Sequence, residues 1–149
     1  MIQALHLMAV FMTLAIPPLT PGNSTRTLSV GEQKREYLVH VPPDYDGKRP
    51  TAVVLAFHGG GSNAEQMEKF SGLSDKADEA GFMVVYPSGS GRLPDMLTWN
   101  AGNCCGYAQR HKIDDVGFVA ALLDDLATVA NVDAKRVYAT GMSNGALMS

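Results

Sequence analysis

The chain has 149 residues and a formal net charge of −3, with 46% hydrophobic and 18% charged residues. This balance is typical of a soluble globular protein. The acidic net charge and the lack of a basic run exclude a nucleic-acid-binding protein.

The amino terminus predicts an export signal. Ala4 to Ile16 is an apolar stretch that Pro17 and Pro18 end, and it is too short to span a membrane stably. It fits the apolar region of a signal peptide, although a basic start and a clear A-x-A cleavage site are absent. We therefore expect a signal peptide at 1–22, cut between Ala15 and Ser24, and an extracellular or periplasmic protein. The alternative is a strand or helix of the core.

The next segment predicts a linker and then a strand. Asn23 to Gly31 is polar and is interpreted as a linker before a domain at 25–149. Glu36 to Val41 alternates between apolar and polar residues, which predicts a strand with one buried face at the edge of a sheet. His40 would then face solvent.

Continuous apolar runs predict two buried parallel strands. Thr51 to Phe57 and Phe82 to Tyr86 are rich in β-branched and aromatic residues, as strands covered on both faces are. Between them, Asn63 to Phe70 and Ser71 to Ala80 have helical spacing. Their expected apolar stripe consists of Ala64, Met67, Phe70, Leu73, Ala77 and Ala80. Gly81 suits the position after a helix end.

Asp114 to Ala130 is the clearest helix in the sequence. Asp114 or Asp115 is expected to cap its start, and Asp124 and Asp125 to face solvent. The expected apolar face consists of Val116, Val119, Leu122, Leu123, Leu126 and Val129. With a strand at Arg136 to Thr140, the order of elements predicts a doubly wound, mostly parallel α/β sheet.

The segment after that strand has the pattern of a nucleophile elbow. Gly141-Met142-Ser143-Asn144-Gly145 is a Gly-x-Ser-x-Gly sequence between a strand and an apolar helix start. In this context a tight, strained turn exposes the serine at the end of the sheet. A Cβ at either glycine would collide with a neighbouring element. Ser143 is therefore the predicted nucleophile, and the N–H of Asn144 a predicted oxyanion donor.

A glycine run follows the first buried strand. His58-Gly59-Gly60-Gly61 stands where α/β-hydrolases place the other part of the oxyanion hole. The alternative is a flexible turn without a function, but ligand sites favour the carboxyl ends of buried parallel strands. His58 is interpreted as a structural support of this loop, because the catalytic base follows the serine in this fold.

The long stretch before Ile113 is predicted to be a functional loop. It contains Trp99, the only tryptophan, which either packs beneath the loop or forms an apolar wall for substrate. Adjacent Cys104 and Cys105 could form a vicinal disulfide, pair with cysteines elsewhere, or stay reduced. Their spacing does not predict a metal site, and no cofactor is expected.

These motifs, in order, resemble the polyhydroxybutyrate depolymerase-like esterases and the related feruloyl and acetylxylan esterases of the α/β-hydrolase fold. The resemblance covers about Glu36 to Ser149. It implies Ser143 as nucleophile, Gly60, Gly61 and Asn144 as oxyanion donors, and a site shaped by Trp99 and the Cys104-Cys105 loop. It also implies a carboxylic ester substrate, possibly polymeric.

No histidine or acid follows Ser143 in the sequence, whereas the fold orders its triad as Ser, Asp or Glu, then His. We therefore expect the N-terminal half of a longer enzyme, and ester hydrolysis barely above background by the 149 residues alone. The alternatives are a prolyl-oligopeptidase-like serine peptidase and an inactive truncated copy.

Overall fold

The computed structural model describes residues 18–149. Residues 1–17, which hold most of the predicted signal peptide, lie outside the described residues. The strands are β1 Gly22–Val30, β2 Gln33–Val41, β3 Thr51–Phe57, β4 Met83–Pro87 and β5 Val132–Gly141. The helices are α1 Ala64–Ser71, α2 Leu73–Ala80, α3 Gly106–Arg110 and α4 Asp115–Val129, followed by a 3₁₀ helix at Ser143–Met148.

The strands form one sheet in the order β1-β2-β4-β3-β5. β3 lies between β4 and β5 and is parallel to both, whereas β1 and β2 are antiparallel additions at one side. One face of the sheet packs on α4, and the other packs on α1 and α2. The predicted α/β-hydrolase class of fold is confirmed, with a mixed sheet over this part of the chain.

The predicted linker Asn23 to Gly31 is wrong, because it forms β1. This strand pairs with the whole of β2, from Gly22 opposite Val41 to Val30 opposite Gln33. Its polar residues gave no strand signal, yet alternate positions are half-buried against the domain. Consequently β2 is an inner strand, not the predicted edge.

His40 does not face solvent as predicted. Its ring is 9% exposed, and its Nε2 lies 2.7 Å from Oδ1 of Asp78 on α2. Its Nδ1 contacts the side chain of Asn23 on β1. His40 therefore links β2 to β1 and to α2, two elements that the sequence did not place beside it.

The helices α1 and α2 agree with the prediction. The side chain of Asn63 accepts the N–H of Gln66 and caps α1. Gly81 ends α2 in the left-handed conformation, with φ +72°, as its position predicted. Two residues of the predicted apolar stripe are wrong, because Phe70 is 69% exposed and Ala80 is exposed as well.

Helix α4 is rotated relative to its predicted apolar face. Val116 is 72% exposed. The buried side chains recur at helical spacing and are Phe118, Leu122, Leu126 and Val129. Asp125 is not solvated as expected, since its carboxylate accepts Nε of Arg26 at 2.7 Å and the hydroxyl of Tyr37 at 2.7 Å. The missed strand β1 supplies Arg26 and so explains the error.

Candidate active site

The ends of β3 and β5 bring the two predicted loops together. Phe57 and Gly141 are opposite each other in the parallel pair, and the N–H of Met142 donates to the carbonyl of Phe57 at 3.2 Å. The carboxyl ends of parallel strands are where α/β folds bind ligands. The Gly-rich loop and the Gly-x-Ser-x-Gly turn therefore lie side by side at this edge.

Ser143 has the strained backbone of a nucleophile elbow. Its φ is +50°, a left-handed conformation that is uncommon outside glycine. The residue is exposed, while Asn144 and Gly145 after it are buried. The chain continues as a 3₁₀ helix instead of the predicted α-helix, and such turns are frequent at helix ends. The turn thus presents the Ser143 side chain at the surface.

The flanking glycines are required by space. A Cβ on Gly141 would overlap the carbonyl oxygen of Gly145. A Cβ on Gly145 would overlap the carbonyl oxygens of Phe57 and His58. The predicted reason for glycine at both positions is confirmed by these contacts.

The glycine loop contacts the elbow through Gly59 and Gly60. A Cβ on Gly59 would lie 3.8 Å from Cβ of Ser143, and one on Gly60 would lie 3.5 Å from Cβ of Asn144. Gly61 is different, because its N–H already donates to the carbonyl of Leu97 at 2.8 Å. The Gly61 N–H is thus engaged within the loop, whereas Gly60 lies beside Asn144, and the roles of Gly60 and Gly61 as oxyanion donors stay predictions.

His58 supports the loop, as predicted. Its ring is fully buried; Nε2 accepts the N–H of Gly89 at 3.0 Å, and Nδ1 lies 2.7 Å from the carbonyl oxygen of Gly59. This pair of contacts fits a neutral ring with its proton on Nδ1. Burial also lowers the pKa of His58 below its ordinary value. With both nitrogens engaged, His58 is not placed to act as a base.

Trp99 lies beneath the site with no exposed surface. Its indole Nε1 donates to the carbonyl of His58 at 2.9 Å, and its ring centroid lies 4.8 Å from that of His58. It also meets Phe57 edge-on at 5.4 Å. This burial favours the packing alternative over a substrate-facing wall.

The side chain of Asn144 makes a contact that the sequence gave no sign of. Its Oδ1 accepts the backbone N–H of Trp99 at 2.7 Å, and its Nδ2 donates to the carbonyl of Trp99 at 3.1 Å. Asn144 is 2% exposed. One amide thus pairs with both backbone groups of Trp99 and fixes the residue after Ser143.

The acidic pair before α4 has two different roles. Asp114 accepts the N–H of Gly117 at 2.8 Å and caps the helix, so one of the two predicted cap residues is confirmed. Asp115 is 1% exposed and binds Nη2 of Arg35 at 2.6 Å. Its other oxygen accepts the backbone N–H of Asn100 at 2.7 Å.

The two cysteines are bonded to each other as a vicinal disulfide. The sulfur of Cys104 lies 3.7 Å from Nδ2 of Asn144, and Cys104 and Ala101 exchange backbone hydrogen bonds. The disulfide therefore lies against the elbow, and of the predicted alternatives this structure contains the vicinal one.

An open groove of ≈ 500 Å³ begins at Gly61. Tyr107 and His111 line it with their ring centroids 4.1 Å apart and their planes tilted by 35°. The exposed side chains of Leu93 and Met96 add apolar surface. Within residues 18–149 there is no cluster of three or more potential metal ligands. No helix in that same range is long and apolar enough to cross a membrane.

The layered sheet and the strained Gly-x-Ser-x-Gly turn together define an α/β-hydrolase fold. Within that class, residues 35–149 match the family described as esterase PHB depolymerase. The chain belongs to this family.

Curated relatives include the "Putative esterase NocK" of Nocardia uniformis subsp. tsuyamanensis, with 35% identity over 89% of this chain and 38% of that protein. Feruloyl esterase B of Piromyces equi is 31% identical over 77% of this chain and 20% of that protein. Acetylxylan esterase of Coprinopsis cinerea is 28% identical over 89% of this chain and 35% of that protein. The chain thus spans less than half the length of these relatives.

Solved structures agree on the fold. The native structure of pOPH superposes with a TM-score of 0.63 at 19% identity, over 90% of this chain and 47% of that chain. S-formylglutathione hydrolase (FrmB) of Staphylococcus aureus gives a TM-score of 0.59 at 11% identity, over 80% and 46% of the respective chains.

Proposed function

We propose that the whole protein is a serine hydrolase of carboxylic esters, with Ser143 as its nucleophile. The observation that carries this proposal is the backbone of Ser143, an exposed serine held at φ +50° between two sterically required glycines. Strain of this kind is retained where function requires it. The printed names of the curated relatives support ester hydrolysis.

The proposed reaction proceeds through an acyl-enzyme. A histidine takes the Ser143 hydroxyl proton as Oγ attacks the ester carbonyl, and the alcohol leaves with that proton. Water then attacks the acyl-enzyme, releases the carboxylic acid and restores the serine. The backbone N–H groups of Gly60 and Asn144 would stabilise the oxyanion in both steps.

Residues 18–149 hold three histidines, and none has the position of the base. His58 is buried with both nitrogens engaged, His40 lies against Asp78 on α2, and the His111 ring contacts that of Tyr107. We propose that the base and its acid come from the part of the hydrolase fold that the relatives have and these 149 residues do not span.

Two substrate classes fit the proposed activity: a hydroxyalkanoate polyester and an acylated plant polysaccharide. The family description names a polyhydroxybutyrate depolymerase, and relatives carry the names feruloyl esterase and acetylxylan esterase. An open groove beside Gly61 suits the side of a long substrate. Clearing of a polyester suspension, set against release of ferulate or acetate from xylan, separates these classes.

The activity itself is tested with protein expressed from the complete reading frame that contains this sequence. Wild type and Ser143→Ala are compared on a short nitrophenyl ester. Loss of the nucleophile is expected to lower kcat by at least roughly a thousandfold, given the cost of removing triad residues. Ester hydrolysis that survives in Ser143→Ala would contradict the proposal.

A further inference from the structure

We propose that Asp115 is a positioning residue for the oxyanion hole, acting through the backbone of residues 99–100 and the side chain of Asn144. The inference rests on the proposed function. It assigns a role in catalysis to a buried ion pair that touches neither Ser143 nor the substrate groove.

The first link is a carboxylate with every contact inside the protein. Asp115 is 1% exposed and Arg35 is 5% exposed. Their Nη2–Oδ1 distance is 2.6 Å, and the same Nη2 donates to the carbonyl of Ser88 at 3.2 Å. The guanidinium also lies 4.0 Å from the ring centroid of Phe118. β2, the end of β4 and α4 therefore meet at one fixed point.

The second link runs from Asp115 into the loop. The carboxylate oxygen that does not face Arg35 accepts the N–H of Asn100 at 2.7 Å. The Asn100 side chain donates to the carbonyl of Ile113 at 2.8 Å, just before α4. A hydrogen bond to an ionised acceptor is stronger than a neutral one. The peptide unit between Trp99 and Asn100 is thus held from the α4 side.

The third link joins the same peptide to the elbow. The carbonyl of Trp99 belongs to the peptide unit whose N–H is bound by Asp115, and it accepts Nδ2 of Asn144 at 3.1 Å. The Trp99 N–H donates to Oδ1 of Asn144 at 2.7 Å. Asp115 and Asn144 therefore hold opposite ends of one peptide unit, although they do not touch each other.

This arrangement matters for catalysis because the Asn144 backbone N–H is the proposed oxyanion donor. Its direction depends on where the Asn144 side chain is anchored, and that anchor is the Trp99 backbone. Displacement of a positioned group by about 1 Å can cost roughly a hundredfold in rate. We expect loss of the Asp115 contact to lower kcat by about ten- to a hundredfold, with KM changed by less than about twofold.

The principal variant is Asp115→Asn, and Asp125→Asn is its matched control. Asp125 also lies on α4 and also pairs with an arginine, Arg26 at 2.7 Å, but that pair lies at the opposite end of the helix from the 99–100 loop. The control is expected to keep kcat within about twofold of wild type.

A second variant separates positioning from folding. Arg35→Met/Asp115→Leu replaces the whole buried pair with apolar groups, which is often neutral for stability. It still removes the acceptor for the Asn100 N–H. We expect this variant to unfold cooperatively on heating, as a folded protein does, and to have the reduced kcat.

A spectroscopic readout works without activity. Trp99 is the only tryptophan, so its indole N–H gives a single resonance, which can be followed with the side-chain amide of Asn144. Both signals are expected to shift in Asp115→Asn and in the double variant, and to stay unchanged in Asp125→Asn. If the wild-type protein has no esterase activity, the proposed function is refuted. The resonances of Trp99 and Asn144 still test whether Asp115 positions Asn144.

Coupling is tested by combining Asp115→Asn with Asn144→Asp, which replaces the amide donor to the Trp99 carbonyl with a carboxylate oxygen. If both act through the Trp99 backbone, the double variant should be little slower than the slower single variant. Independent effects would multiply. Multiplying effects, unshifted resonances, or an Asp115→Asn kcat within about twofold of wild type would each overturn the inference.

Discussion

Gly145 shows most directly how single residues shape the elbow. Its α-carbon packs against the backbone of Phe57 and His58, where a Cβ would overlap their carbonyl oxygens. Gly60 lies on the facing loop, and a Cβ there would meet Asn144 at an ordinary 3.5 Å. Two glycines of one site therefore differ in the reason for their lack of a side chain.

This difference predicts unequal stability effects. Gly145→Ala forces the elbow away from β3 and is expected to lower the free energy of unfolding by about 1–3 kcal/mol, as overpacking does. Gly60→Ala is the control and should change it by less than about 0.5 kcal/mol. Urea denaturation measures both. Equal stability of the two variants would argue against the close packing of the elbow on β3.

His58 predicts a pH dependence with a definite sign. Burial lowers its pKa in the folded protein, so the unfolded chain takes up a proton below about pH 6.5 that the folded protein resists. The His58 contribution is therefore present above that pH and is lost as the pH falls toward the lower, folded-state pKa. The loss can reach about 1.4 kcal/mol per pH unit.

The measurement is urea denaturation between pH 7.5 and pH 5, buffer values chosen to span the unfolded pKa of about 6.5. His58→Gln should be less stable at neutral pH but should show a flatter pH dependence than wild type. His111→Gln, at an exposed position, should keep the wild-type slope. An unchanged slope in His58→Gln would show that another group causes the acid destabilisation.

At the scale of elements, β1 is attached to the domain by polar contacts as well as by β2. Arg26 donates from Nε and Nη2 to the two oxygens of Asp125 at 2.7 and 3.0 Å. The Tyr37 hydroxyl on β2 donates to the same carboxylate at 2.7 Å. Helix α4 and the two antiparallel strands are thus joined at one cluster.

The cluster predicts that loss of the Tyr37 hydroxyl alone lowers the stability of the protein. Tyr37→Phe removes one donor to the Asp125 carboxylate and is expected to lower the free energy of unfolding by about 1.5–3 kcal/mol, the usual worth of a hydrogen bond to a charged group. Tyr138→Phe is the control, because that ring is 55% exposed. Thermal unfolding compares them. A loss no larger than that of Tyr138→Phe would mean that the Tyr37 hydroxyl adds no stability to the cluster.

Local signals predicted the central elements of the fold. β3 and β4 are apolar runs of strand length, and α1 and α2 carry Asn63 and Gly81 at their ends. β1 was missed because most of its residues are polar, and its burial comes from pairing with β2 and from contacts with α4 that are distant in sequence. The face of α4 was misplaced for the same reason, since Arg26 of β1 covers Asp125.

The site was predictable only where its motif is local. Gly141 to Gly145 lie within one turn, so their sequence indicates their geometry. The Asn144 side chain instead binds a residue 45 positions away, and Asp115 pairs with Arg35 across 80 positions. Nothing near Asp115 in the sequence distinguishes it from its neighbour Asp114, which caps the helix.

At the scale of the whole molecule, the amino terminus sets a limit on export processing. The N–H of Leu19 donates to the carbonyl of Val129 at 2.9 Å, at the end of α4. β1 follows directly from Gly22. If the protein is exported, a cut before Leu19 preserves these contacts, whereas a cut after Ser24 would remove the start of β1.

We therefore expect the exported protein to begin between Ala15 and Leu19, the earlier part of the predicted cleavage range. Mass determination of the protein recovered outside the cytoplasm measures this directly. A mature terminus after Leu19 would contradict the contact between Leu19 and α4 as a feature of the exported protein. Retention of the whole sequence inside the cell would contradict export.

Covalent labelling tests most directly whether Ser143 is the nucleophile of an ester hydrolase. A fluorophosphonate transfers its phosphonyl group to an activated serine Oγ and releases fluoride. The protein from the complete reading frame is treated with this reagent, digested and analysed by mass spectrometry. We expect one adduct on Ser143 and none in Ser143→Ala. Labelling of another residue that abolishes ester hydrolysis while Ser143 stays unmodified would contradict it.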